Sequence, residues 1–115
     1  MKAQLRRRTM LFALGWICGM ACAATATPDT ARRSELIRMV RNDCGSCHGM
    51  QLTGGLGLPL TPDTLKDKPD SALVATILFG RAGTPMPPWQ PFLTEAEAEW
   101  IVENLKRGFP DVKPK

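Results

Sequence analysis

Three stretches of the chain repeat apolar residues at helical spacing. In Asp29 to Asn42, Leu36, Ile37, Val40 and the aliphatic part of Met39 form one stripe, and Arg32, Arg33, Arg38 and Arg41 take the other faces. Asp29, after Pro28, is placed to cap this helix. In Ser71 to Phe79, Leu73, Val74, Ile77 and Leu78 point one way. Pro69 suits the start of that helix and Gly80 its end. The third stretch opens on Thr94-Glu95-Ala96-Glu97, a capping box with Leu93 as its hydrophobic staple. It predicts a helix from Glu95 to about Arg107, with Trp100, Ile101 and Leu105 inward and Val102 at the edge of that face. Lys106 and Arg107 suit its negative end, and Gly108 and Pro110 terminate it.

Between these helices the pattern breaks. Gly49 to Leu60 reads as a loop, because Gly54, Gly55 and Gly57 lack the side chains a stable helix needs. Thr61-Pro62 fits an N-cap followed by proline in the first turn, so Pro62 to Lys66 is expected as a short helical turn. Arg81 to Phe92 carries Pro85, Pro87, Pro88 and Pro91 and is excluded from helix and central strand. No segment alternates as a strand does, and no unit repeats. The pattern predicts a single all-α domain over residues 28–110, followed by a loose tail, Asp111 to Lys115.

The N-terminus has a different character. Lys2, Arg6, Arg7 and Arg8 precede an apolar run from Thr9 to Gly19, then Ala21-Cys22-Ala23 and Ala24-Thr25-Ala26. This is the layout of a secretory signal peptide over residues 1–23, cleaved after Ala23 or Ala26. The run is short for a membrane anchor. Gly19-Met20-Ala21 is a poor lipobox before Cys22, and Arg7-Arg8 is a weak twin-arginine signal. The formal charge of +4 resides in those four basic residues; the remaining 11 Lys and Arg balance all 11 Asp and Glu. The alkaline pI therefore belongs to the leader and gives no ground for nucleic-acid binding. Cys18 and Cys22 leave with it, and only Cys44 and Cys47 remain. A mature chain of about 90 residues buries a modest core.

His48 follows this pair directly, giving Cys44-Gly45-Ser46-Cys47-His48. A structural zinc site needs four ligands, and the mature chain has three Cys and His residues. A redox dithiol of the thioredoxin kind needs a βαβ context, which is absent. Covalent haem attachment needs only this local arrangement: two thiols for the vinyl groups of one porphyrin and an adjacent imidazole for the iron. With His48 the sole histidine, the proximal ligand is assigned and bis-histidine ligation excluded. The sixth ligand is then Met, Lys, a terminal amine or water. Met50 follows His48 too closely to reach the opposite haem face, and Met39 lies on the preceding helix; both are expected to be structural. Met86, in Thr84-Pro85-Met86-Pro87-Pro88-Trp89, is well separated and flanked by prolines. It is either core filling or the distal ligand, and His/Met ligation favours the second. Such iron has no open position, which points to electron transfer rather than catalysis.

These motifs, with the closing Thr94-to-Arg107 helix, resemble the class I cytochromes c over nearly all of the mature chain. The resemblance implies three to four helices around one haem c, with Met86 as distal ligand and crossed N- and C-terminal helices meeting through Leu36, Val40 and Trp100. It also implies that a loop carbonyl orients His48. The family commonly has Gly-Pro-x-Leu there; this chain reads Gly57-Leu58-Pro59-Leu60, which offers Leu58 or Pro59, with Leu58 preferred. Leu52-Thr53-Gly54-Gly55-Leu56-Gly57 and Met86-Pro87-Pro88-Trp89 narrow the resemblance to the 55X type. These are small periplasmic cytochromes associated with cytochrome cd1 nitrite reductase in denitrifying bacteria.

That resemblance implies a periplasmic, monomeric carrier of single electrons, not an enzyme, delivering to nitrite reductase. Alternatives are a redox step in d1 haem maturation or donation to a terminal oxidase. No nucleic acid and no lasting membrane insertion are expected. Met50, Pro87 and Pro88 are candidate rim residues, Trp89 a wall of the haem pocket, and Arg81 either a propionate partner or simply solvated. Balanced charge predicts docking with weak salt dependence.

Overall fold

A computed structural model describes residues 26–110. The expected leader, with Cys18, Cys22 and most of the expected cleavage region, and the Asp111–Lys115 tail lie outside the described residues. Within them every regular element is helical: α1 (Thr30–Met39), a π-helical segment (Val40–Cys44), α2 (Gly45–His48), α3 (Pro62–Leu65), α4 (Asp70–Phe79) and α5 (Glu95–Arg107).

Local chemistry sets most boundaries. The Asp29 carboxylate accepts from the Arg32 amide at 2.8 Å and opens α1. Pro62 occupies the first turn of α3, and Gly80 ends α4 at φ 70°, in the left-handed region. Thr94 and Glu97 form both bonds of the capping box, the Glu97 amide to Thr94 Oγ1 at 3.2 Å and the Thr94 amide to Glu97 Oε2 at 2.8 Å. The first helical stretch corrects the expected end at Asn42. It continues through a π-helical segment into α2, so the backbone stays helical from Thr30 to His48.

Leu36 and Val40 are fully buried and pack with Ala98, Ile101, Val102 and Leu105, one face of α5 at helical spacing. Val102, placed at the edge of that face by its sequence position, is among the most deeply buried side chains. Val74 and Leu78 of α4 complete the centre, with Leu73 and Ile77 half-buried against it. Full burial of an aliphatic side chain contributes about 1.5–3 kcal/mol.

Long polar side chains fasten the ends. Glu97 shares its carboxylate: one oxygen closes the α5 cap and the other accepts from Arg32 Nε at 2.6 Å. Arg32 also donates to the Phe92 carbonyl at 3.0 Å. Farther along the helical stretch, Arg41 donates to the carbonyls of Phe109 at 2.7 Å and Pro110 at 3.1 Å. Its guanidinium lies 5.7 Å from the Phe109 ring centroid. Phe109 in turn meets Trp100 edge-on at 6.3 Å. Lys106 joins α5 to the start of α4 through Asp70 and the Lys68 carbonyl.

Candidate haem site

The helical stretch from α1 delivers Cys44, Cys47 and His48 within two short consecutive segments, Cys44 closing the π-helical turn and the other two lying on α2. Residues three and four apart on a helix share a face, so Cys44, Cys47 and His48 form one cluster. Both cysteines are free thiols. Cys47 is exposed, whereas burial first, and the neighbouring Asp43 charge second, push the Cys44 thiol up to about 11.

The Gly49–Leu60 loop wraps this cluster. His48 Nδ1 stands 2.7 Å from the Leu58 carbonyl oxygen. An oxygen acceptor there places the proton on Nδ1 and leaves the Nε2 lone pair for a ligand. Of the two expected acceptors, Leu58 is the one in contact. The loop returns to the cluster twice more, the Gly57 amide donating to Cys47 O and the Gly54 amide to His48 O, each at 2.8 Å.

The glycines do more than exclude helix. A Cβ on Gly57 would fall 2.7 Å from both Cε1 and Nδ1 of His48, and one on Gly55 would fall 2.8 Å from Cys47 O. The Gly57 backbone therefore approaches the imidazole, and the Gly55 backbone the Cys47 carbonyl, where no side chain fits. Sequence reasoning missed this role; the Gly-Gly-x-Gly spacing was the available signal. Leu52 is buried with φ 61°, an uncommon state for a residue with a branched side chain. Bonds from its amide to Gly49 O and from the Leu60 amide to its carbonyl hold it there.

Met86 comes from a separate loop, and that loop is tied to α4. The amides of Trp89 and Gln90 donate to Ile77 O and Leu78 O, each at 3.1 Å. Around Met86 the Arg81 amide donates to its carbonyl at 3.2 Å, and its own amide reaches Thr84 Oγ1 at 3.4 Å. Gly80 makes the close approach possible: a Cβ there would sit 2.7 Å from Met86 O. Met86 is half-buried, Met39 is half-buried against the core, and Met50 is 60% exposed on the turn after His48. Trp89 is half-buried against the core, and Arg81, Pro87 and Pro88 are exposed.

The donor set fits a haem c. Two unpaired thiols, an imidazole with Nε2 left open and a backbone-anchored thioether are soft and borderline ligands suited to covalent porphyrin attachment and iron. Among the described residues no group of three His, Cys, Asp or Glu side chains is placed to hold a bare metal ion, Cys44, Cys47 and His48 included. A groove of about 770 Å³ between α4 and α5 contains none of Cys44, Cys47, His48 or Met86 in its walls. Residues 45–61 and 82–94, which carry His48 and Met86, include no Asp, Glu, Lys or Arg.

Comparison with known proteins gives a consistent picture. Residues 31–105 match the family described as cytochrome c oxidase, cbb3-type, subunit III. Cytochrome c55X of Pseudomonas aeruginosa is 48% identical over 99 residues, spanning 86% of this chain and 83% of that protein. The dihydro-heme d1 dehydrogenase of the same organism is 30% identical over 103 residues, 90% of this chain but 20% of that protein. Among solved structures, the c-type cytochrome NirC superposes with a TM-score of 0.70 at 49% identity, covering 76% of this chain and all of that one. The chain thus belongs to the cytochrome c55X family, all-α electron carriers of the class I cytochrome c fold that hold haem c covalently.

Proposed function

We propose that this protein is a periplasmic shuttle for single electrons that delivers them to cytochrome cd1 nitrite reductase. In this reading Cys44 and Cys47 form the thioether links, His48 is the proximal iron ligand and Met86 the distal one. Bound haem c supplies one-electron exchange between ferric and ferrous iron. The observation that carries the reading is the 2.7 Å contact from His48 Nδ1 to the Leu58 carbonyl, beside two free thiols. It fixes the tautomer and aims Nε2 outward, as a ligating imidazole requires. Met86 is held at its backbone on both sides, so a thioether can serve either oxidation state with little rearrangement. A closed iron favours transfer over catalysis.

The test is stopped-flow mixing of the reduced protein with purified cytochrome cd1 nitrite reductase. Rapid oxidation supports the donor role; no oxidation, in protein with intact His/Met spectra, refutes it. A second reading is favoured by the likeness to one fifth of a dihydro-heme d1 dehydrogenase. In it, the protein accepts electrons released while d1 haem is completed. Reduction of the ferric protein by that dehydrogenase and its substrate, with no reaction toward nitrite reductase, would select this reading.

A further inference from the structure

Leu58 supplies the oxygen that meets His48 Nδ1, and the next residue is Pro59. We infer that Pro59 is a positioning residue which, by constraining and strengthening the Leu58 carbonyl, lowers the reduction potential of the iron through His48. The inference rests on His48 being an axial ligand.

Two properties of the Leu58–Pro59 bond lead to it. A residue before proline is held in extended backbone, because the proline ring clashes with the helical alternative. The rotation restricted is ψ of Leu58, the one that aims its carbonyl. The same bond is a tertiary amide, whose oxygen accepts a hydrogen bond more strongly than that of an ordinary peptide. Leu58 itself is 61% exposed, so side-chain packing does little to fix this carbonyl.

The ring of Pro59 is anchored to the segment it serves. A Cβ on Gly54 would lie 3.3 Å from Pro59 Cγ, so the ring rests near the Gly54 backbone. The Gly54 amide donates to the carbonyl of His48 at 2.8 Å. Beyond the proline, the Leu60 amide donates to Leu52 O at 2.8 Å. Before Leu58, the Gly57 amide donates to Cys47 O at 2.8 Å, so the acceptor is restrained on both sides and referenced to the backbone of Cys47 and His48. A strong acceptor on Nδ1–H gives the imidazole more anionic character, which makes Nε2 a better donor and favours ferric iron.

Holoprotein variants Pro59→Ala and Leu58→Ala test this. Pro59→Ala converts the amide to a secondary one and frees ψ; Leu58→Ala keeps the carbonyl and the proline. The expected result for Pro59→Ala is a shift of about three- to tenfold in the redox equilibrium toward ferrous iron. This equals ~30–60 mV for one electron at 59 mV per decade. Exchange of the His48 ring N–H, followed by NMR in the ferrous protein, is expected to accelerate. Leu58→Ala is expected to match the unmodified protein in both. Unchanged potential and exchange in Pro59→Ala, with the Met-to-iron band retained, overturns the inference and leaves the ligand reading standing. Low-spin six-coordinate spectra persisting in His48→Ala would instead overturn the ligand reading. Should Pro59→Ala fail to assemble, the unmodified protein decides: a His48 ring N–H that exchanges within seconds overturns the inference, and one protected for hours supports it.

Discussion

Gly57 shows how narrowly the site is defined at the scale of single residues. Its missing side chain admits the His48 ring, and a methyl group would start 2.7 Å from two ring atoms. Gly57→Ala is expected to destabilise the holoprotein by about 1–3 kcal/mol, the usual range for overpacking, seen as a lower Tm. Met86 has a different signature. Met86→Ala is expected to abolish the long-wavelength Met-to-iron band, lower the potential and let added imidazole bind ferric iron. Retention of the band would remove Met86 from the site. The residue chemistry was largely legible: Cys44, Cys47 and His48 declare themselves by adjacency, and the Leu58 carbonyl follows from the loop's resemblance. The glycine contacts were not, because a residue without a side chain signals only what it cannot do. Which atom fills the space left by its missing side chain is a tertiary fact.

At the scale of elements, the Arg32–Glu97 pair links the start of α1 to the cap of α5. The Arg32 hydrogen bond, ahead of the cost of burial, holds the Glu97 carboxyl below its usual range, while Glu97 raises Arg32 further. A depressed folded-state pKa contributes stability that is complete above the unfolded value, near 4.5. That contribution is lost as pH falls through the folded value. Glu97→Gln keeps a capping-box residue and removes the charge. It is expected to cost about 1–2 kcal/mol at pH 7, discounted for partial exposure. Denaturant titrations of the two proteins should converge as pH falls from 4.5 through the lower folded-state value; a gap independent of pH would assign the loss to packing instead. Helix starts and stops were readable because caps, prolines and glycines act within a few residues. The π-helical segment was not, since nothing in Val40-Arg41-Asn42-Asp43-Cys44 encodes a wider turn locally. Nor was Arg32–Glu97, whose partners stand 65 residues apart.

For the whole molecule, charge balance has a spatial form. The stretches bearing His48 and Met86 carry no Asp, Glu, Lys or Arg, while ion pairs such as Arg32–Glu97, Lys106–Asp70 and Arg107–Glu103 lie on the helices. The side chains of these loops therefore offer approaching partners little field to steer them. The rate of electron transfer to nitrite reductase is expected to change by less than about tenfold between 10 and 200 mM salt. A steeper dependence, read by stopped-flow, would place docking on the charged helices.

The Arg41 clasp also has a meaning in time. Arg41 waits for carbonyls 68 and 69 residues further along the chain, and Arg32 for a carboxylate 65 residues away. Leu36 and Val40 likewise find their neighbours on α5. A chain that emerges N-terminus first, from a ribosome or across a membrane, presents Cys44 to His48 long before anything can hold the preceding helix in place. On the proposed ligand reading, the two thiols and the imidazole are then within reach, as open chain, of the chemistry that would join them to a porphyrin. Phe109 and Pro110, among the last residues to arrive, supply the carbonyls that complete the Arg41 clasp.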